Sequence, residues 1–163
     1  MSGCVRSVVR DDNIEIRMAR AGDGEALARF NRAMALETED RTLPESVVER
    51  GVAAVFDDPR RGFYVVAEHD GQIVAALMIT FEWSDWRNAS FWWIQSVYVS
   101  PHFRQRGVYR RLHQFVRDRA REKGGVCGFR LYVERENADA QRVYEALGMS
   151  HTEYLMYEES MSQ

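Results

Sequence analysis

Asp70-Gly71 stands between two strand-like runs, residues 63–67 and 72–81. A two-residue Asp-Gly link in such a setting is the strongest short-range signal for an antiparallel hairpin. It commits the middle of the chain to antiparallel pairing and argues against a doubly wound parallel sheet. The flanking segments fill in the rest. Ile14-Glu-Ile-Arg-Met18 alternates apolar and polar residues, as a half-buried strand does. Asp23 can cap a helix whose apolar positions are Leu27, Phe30, Ala33 and Met34. Thr42-Leu-Pro-Glu45 has capping-box spacing with a proline in the first turn, and a second helix follows through Val47, Val48, Val52, Val55 and Phe56.

Residues 84–89 read as a connection and 90–99 as a strand that Pro101 ends. Val108, Leu112, Phe115, Val116 and Ala120 keep a helical period, and Gly124-Gly125 stops it. Residues 129–133 alternate again. Asn137 caps a short helix with Ala140, Val143, Tyr144 and Leu147 on its apolar side and Gly148 as its stop, and residues 154–157 suit a last strand. The order is β-α-α-β-β-β-α-β-α-β. The strand–helix–strand unit over 92–133 requires one parallel crossover. The expected class is α+β: one domain with a mixed, mostly antiparallel sheet flanked by helices. Residues 1–13 lack periodicity and read as a loose tail, leaving 14–163 as the domain.

A chain of 163 residues with 45% apolar and 29% charged composition is an ordinary globular protein. The longest apolar run, residues 73–79, is too short for a bilayer, and no export signal is visible, so a cytoplasmic location is expected. Cys4 and Cys127 are too far apart in sequence for a metal-ligand pair, and the four histidines have no i, i+4 spacing, so no metal site is expected. The net charge is −3, yet residues 104–123 hold eight basic and two acidic side chains. A local basic cluster on an acidic protein suits a compact anion better than a long nucleic acid. With only Tyr109 and Phe115 as aromatics in that helix, a nucleic-acid partner is not expected.

The cluster begins in the sequence Val97-Tyr-Val-Ser-Pro-His-Phe-Arg-Gln-Arg-Gly-Val-Tyr109. A strand runs through a short turn into a helix. The opening turn of a helix carries N–H groups without intrahelical partners, and its dipole is positive there. Gly107 permits close backbone approach, and Arg104 and Arg106 add charge, so the turn suits a pyrophosphate. It has neither a Gly-Lys-Ser/Thr phosphate loop nor a G-x-G-x-x-G fingerprint.

This segment resembles the central motif of the GNAT superfamily of N-acetyltransferases, Gln/Arg-x-x-Gly-x-Gly/Ala, here Arg104-Gln105-Arg106-Gly107-Val108-Tyr109. The lead-in Val99, Pro101, Arg104 is similar too, as are Asn137, Ala140, Tyr144 and Gly148-Met149 to the family's second cofactor motif. The resemblance covers residues 14–157 by element order. It implies acetyl-CoA as co-substrate, with the N–H groups of Gln105, Arg106, Gly107, Val108 and Tyr109 on the pyrophosphate. It implies pantetheine on the backbone of Val97 and Val99, in a gap that opens between their strand and the strand at 129–133. Asn137 and Tyr144 would reach the cofactor. Tyr109 departs from the usual Gly or Ala, so its side chain must turn from the phosphates or the ligand must shift.

Amide formation needs a neutral amine and a protonated leaving thiol, each proton transfer contributing roughly 10²–10⁴ in rate. The resemblance makes Tyr144 the acid. Many relatives place a glutamate as base where this chain has Gln95, which takes no proton. Glu82 is the nearest alternative, followed by Asp85, either acting through a water. Cys127 as a covalent acetyl carrier is disfavoured, since no histidine neighbours it in sequence, so direct transfer in a ternary complex is expected. Glu37 and Glu39, with Asp85, are the candidate substrate-binding acids for a small cationic amine, with a protein amine as the alternative acceptor. Trp83, Trp86, Trp92 and Trp93 suit an ammonium-stacking surface, sheet packing or a homodimer face equally. The missing strand glutamate also keeps a non-catalytic acyl-CoA sensor as the rival reading.

Overall fold

The structure is a computed structural model, and it describes residues 13–161. Five strands form one sheet in sequence order: β1 (Ile14–Met18), β2 (Phe63–His69), β3 (Gln72–Ser84), β4 (Ala89–Val99) and β5 (Val126–Leu131). The first four pair antiparallel, and β4 pairs parallel with β5. The helices are α1 (Gly24–Glu39), α2 (Glu45–Asp57), α3 (Val108–Lys123) and α4 (Ala138–Ala146). The chain divides into a compact unit ending at Tyr132, which holds the sheet and α1–α3, and one beginning at Val133, which holds α4.

The Asp70-Gly71 link forms as its residue types demand. Both residues have positive φ, 49° and 74°, the requirement of a type I′ turn. Alternation along β3 then sends side chains to two cores. Leu77 and Ile79 join Trp92, Ile94, Val108, Leu112 and Val116 beneath α3. Ala76 joins Leu27, Phe30, Val52, Val55, Val66 and Tyr98 beneath α1 and α2. Trp92 is the largest wholly buried side chain, 1% exposed, with Phe63 and Phe129 edge-on at 5.2 and 6.2 Å between centroids. Burying a side chain of this kind contributes roughly 3 kcal/mol.

Several expectations change. Residues 152–161 contain no strand, so the last strand expected at 154–157 does not form. The strand expected at 129–133 lies earlier, at Val126–Leu131. Gly128 hid it by breaking the alternation, and it sits where a Cβ would come within 3.0 Å of Phe91. β3 runs on to Ser84, so the connection to β4 is a tight turn at 85–88. Asp23 occupies the α1 cap position but makes no cap bond to that helix. Its carboxylate instead accepts from the Arg20 N–H at 2.7 Å and from Arg17 at 2.7 and 2.9 Å. Thr42 does not cap α2: Pro44 holds that place, its carbonyl accepting from Val47 and Val48, while Glu45 pairs with Arg32 of α1. Of the tail expected at 1–13, residues 1–12, Cys4 among them, lie outside the described residues. Asn13 is described, and its side chain donates to Asp70.

Candidate active site

The site is built on a parity change in β4. At its start, the Ser90 N–H donates to Gly125 O at 2.9 Å, so even-numbered residues turn their peptide groups toward β5. That pairing ends at Ile94 opposite Leu131. Ser96 then takes a left-handed backbone, φ 49°, and the register with β3 slips there. This is a β-bulge, one extra residue on β4. Past it, the Ser100 N–H donates to Val74 O at 2.9 Å, so even-numbered residues now face β3. The peptide groups of Val97 and Val99 are therefore aimed at the opposite edge, where no strand among the described residues pairs with β4. Side chains agree: Trp92 and Ile94 lie in the α3 core, and so do Val97 and Val99, two odd residues after two even ones.

The chain then bends through a 3-10 turn, Pro101–Phe103, into residues 104–107. Gln105 has φ 60°, and Gly107, which precedes α3, has φ 72°. A Cβ on Gly107 would meet nothing within 4 Å, so the glycine serves backbone conformation and leaves open space in front of the helix. The first bond into α3 is Arg111 N–H to Gly107 O, 3.1 Å. Val108 is buried in the core. Tyr109 packs against the same core, its ring 6.1 Å from that of His113, so its bulk is turned into the protein.

The two turn arginines differ. Arg106 lies over the Phe103 ring at 5.7 Å. Arg104 is committed to protein groups: Nε donates to Val99 O at 2.9 Å and Nη2 to Glu37 at 2.6 Å, with the guanidinium 5.5 Å over the Tyr98 ring. The second Glu37 oxygen accepts from the Tyr98 hydroxyl at 2.7 Å. Arg104, and then Tyr98, hold the Glu37 carboxyl below its ordinary range. Burial, and then Glu37, push the Tyr98 hydroxyl up.

Of the other acids, Glu82 accepts from Arg130 at 2.6 Å on one oxygen and from the Trp93 indole N–H on the other. Arg130 also lies 3.7 Å over the Phe91 ring, and Trp93 stacks on Tyr132 at 4.5 Å. Gln95 donates to the Thr80 hydroxyl at 2.6 Å. Glu39 is exposed at the end of α1. Asp85 caps the β3–β4 turn, accepting from the Trp86 N–H at 2.8 Å. At a strand rise of about 3.3 Å it lies roughly 25 Å along β4 from Val97. The four tryptophans separate: Trp92 is core, Trp93 is half-buried on the sheet, and Trp83 and Trp86 are exposed.

In the second unit, Asn137 caps α4 with its side-chain oxygen accepting from the Ala140 N–H at 3.0 Å. Tyr144 lies on that helix, and burial raises its hydroxyl above the ordinary phenol range, so the phenol is neutral near neutral pH. Sequence reasoning missed the bulge at Ser96, for which the segment has no glycine or proline signal. It also missed the partners of Glu82 and Glu37, which arrive from 48 and 67 residues away.

With this geometry in place, the model of the acetyltransferase (GNAT) family matches residues 30–149. The chain belongs to that family, a class of N-acetyltransferases. A possible acetyltransferase from Clostridium difficile 630 shares 41% identity and superposes with a TM-score of 0.86 over 93% of this chain and 100% of that one. A predicted acetyltransferase from Clostridium acetobutylicum, solved with acetyl-CoA, has 17% identity and a TM-score of 0.74 over 89% of this chain and 96% of that one. An aminoglycoside N-acetyltransferase, AAC(6')-Iy, solved with CoA, has 20% identity and a TM-score of 0.76 over 95% and 99%. These last two likenesses are of fold. No curated protein matches the chain.

Proposed function

We propose that this chain moves the acetyl group of acetyl-CoA directly to a primary amine within a ternary complex. The observation that carries the reading is the parity change at Ser96, which aims the Val97 and Val99 peptide groups at the open edge of β4. A partner with two amides fits there: an extended pantetheine arm completes the edge as a short extra strand. The turn at 104–107 follows within eight residues. Its N–H groups, from Gln105 to Tyr109, with the positive end of α3 and Arg106, take the pyrophosphate. Acetyl-CoA supplies the activated acyl group, and the protein's residues orient it and move protons.

Tyr144 is the acid in this reading. Its phenol stays protonated and gives its proton to the departing thiolate as the amine nitrogen bonds to the carbonyl carbon. Asn137 holds the first turn of that helix. Glu82 serves the amine. Both its oxygens already accept one bond, yet each keeps a second lone pair, so it takes the proton through a water. Gln95 presents an amide where a proton acceptor would otherwise stand and acts only as a hydrogen-bonding group.

The acceptor is a small cationic amine. Glu39 and Asp85 add to the negative surface charge that steers its approach rather than contacting it, and Glu37 is already paired. A solved relative of this fold is named for aminoglycoside N-acetylation, an amine acceptor also. A protein amine is the alternative. The test is thiol release from acetyl-CoA across a panel of amines, small and peptidic. Turnover on small amines with loss of about 10²-fold in kcat for Tyr144→Phe, at unchanged KM for acetyl-CoA, is expected. Tight CoA binding with no turnover on any amine would put a sensor in place of the enzyme.

A further inference from the structure

We propose that Glu37 and Arg104 are positioning residues for the pantetheine strand, so that Arg104 holds the end of β4 in register rather than ligating the pyrophosphate. The inference rests on the cofactor reading above and deepens it. Arg104 opens the phosphate turn, and as a bare sequence position it would be taken for a phosphate ligand. Its side chain points the other way. One guanidinium edge is used twice within the protein, Nε on the Val99 carbonyl at 2.9 Å and Nη2 on Glu37 at 2.6 Å.

Each contact has a consequence. The Val99 carbonyl belongs to the open edge, and with Arg104 on it the peptide plane between Val99 and Ser100 is fixed. Val99 then offers its N–H to a ligand, while Val97 offers both its groups. Glu37 anchors the arginine from outside the sheet, because it sits in the last turn of α1. Its other oxygen takes the Tyr98 hydroxyl at 2.7 Å, and the guanidinium covers that ring at 5.5 Å. Tyr98 is the residue between Val97 and Val99. Its side chain drops into the α1–α2 core, where its ring lies 4.9 Å from Phe30. The closed set Glu37–Tyr98–Arg104–Val99 thus ties the bulged strand end to α1 on one side and to the phosphate turn on the other. A planar guanidinium suits this task because it meets two acceptors from one fixed edge, which an ammonium does not.

Glu37 thus acts on the cofactor side of the site, through the strand end that its bonds to Arg104 and Tyr98 hold. The Glu37 and Arg104 side chains are 40% and 44% exposed, so their variants should fold.

The decisive probe is S-acetylpantetheine, a neutral donor that keeps the pantetheine amides and lacks pyrophosphate and nucleotide. Its binding to the full chain is followed by NMR titration, with acetyl-CoA titrated in parallel. Arg104→Gln and Glu37→Gln should each weaken S-acetylpantetheine about tenfold, about one decade of affinity. The double variant should be no weaker, as expected for two residues acting through one contact set. Arg104→Lys should stay weak. The proposal is overturned if Arg104→Gln weakens acetyl-CoA but leaves S-acetylpantetheine unchanged, since Arg104 would then ligate phosphate directly. It is also overturned if Glu37→Gln leaves S-acetylpantetheine unchanged, or if only acetyl-CoA binds the unaltered chain. Failure of acetyl-CoA itself to bind the unaltered chain would instead remove the cofactor reading on which the proposal stands.

Discussion

The two halves of β4 share a strand and differ in pairing. From Ala89 to Ile94 it is an interior strand, paired on both sides and carrying the buried Trp92. From Val97 to Val99 it is paired on one side only, and its free edge faces the space beyond Leu131. One residue separates the two regimes. Ser96 in a left-handed conformation exchanges which residues address β3, and does so without moving the valine side chains out of the α3 core. The lesson is that an open edge can be made inside a sheet at the cost of one irregular residue, provided the side-chain parity flips together with the peptide parity.

That contrast can be broken from either half. The largest effect on binding belongs to the turn that the open half feeds. Gly107→Glu places a carboxylate in the open space at the mouth of α3, at φ 72°. It should reduce CoA affinity more than 100-fold, about 3 kcal/mol or more, while circular dichroism shows the fold intact. Normal CoA binding by this variant, read by calorimetry, would mean that the site lies elsewhere. In the paired half the balance reverses. Trp92→Ala should cost roughly 3–5 kcal/mol of stability in chemical denaturation, as large-to-small changes of aromatic residues do in cores. The folded fraction should still bind CoA. Between the halves, Ser96→Val puts a β-branched residue at positive φ, a strain of about 1–3 kcal/mol. Here affinity for CoA should fall by a larger factor than stability alone explains. Equal loss in both would show that the bulge is structural only.

How much of this was legible in the chain follows from how far each signal reaches. The hairpin at Asp70-Gly71, the α3 period and the Gly107 turn are local, and their residues declare them within a few positions. The class of fold followed from them. β5 was displaced because Gly128 and Cys127 interrupt its alternation, and only pairing with β4 fixes its register. The strand expected at 154–157 came from a Tyr-Leu-Met-Tyr pattern that the described residues leave exposed and unpaired in any sheet. In the site, the turn was visible as a motif, but the bulge was not, because serine is an ordinary residue in a strand. The state of Glu37 and Glu82 was invisible for a different reason. Each was singled out as an available acid, and each is met by an arginine distant in sequence. A carboxylate's partner is a tertiary fact, and no periodicity encodes it.

The smallest effect lies on the far side of the sheet from the open edge, and it sharpens the contrast by being independent of it. Arg17 in β1 sits between Asp23 and Glu68, each at 2.7 Å, with Arg17 and Asp23 nearly covered. The hydrogen bond from Arg17 holds the Asp23 carboxyl below its ordinary value against the opposing pull of burial, with the Arg20 N–H assisting. A carboxyl whose folded pKa is depressed binds fewer protons folded than unfolded between the two values. Its contribution is therefore full above the unfolded value near 3.8 and is lost as pH falls through the folded one. Denaturation midpoints should be flat through neutral pH and decline below about pH 4, and Asp23→Asn should remove part of that decline while lowering stability at pH 7. CoA affinity at pH 7 should not change in Asp23→Asn, because the residue touches neither the bulge nor the turn at 104–107. A matching loss of CoA binding in that variant would mean that the open half of β4 and the β1–β2 edge are one cooperative unit, and the division between the two halves would have to be redrawn.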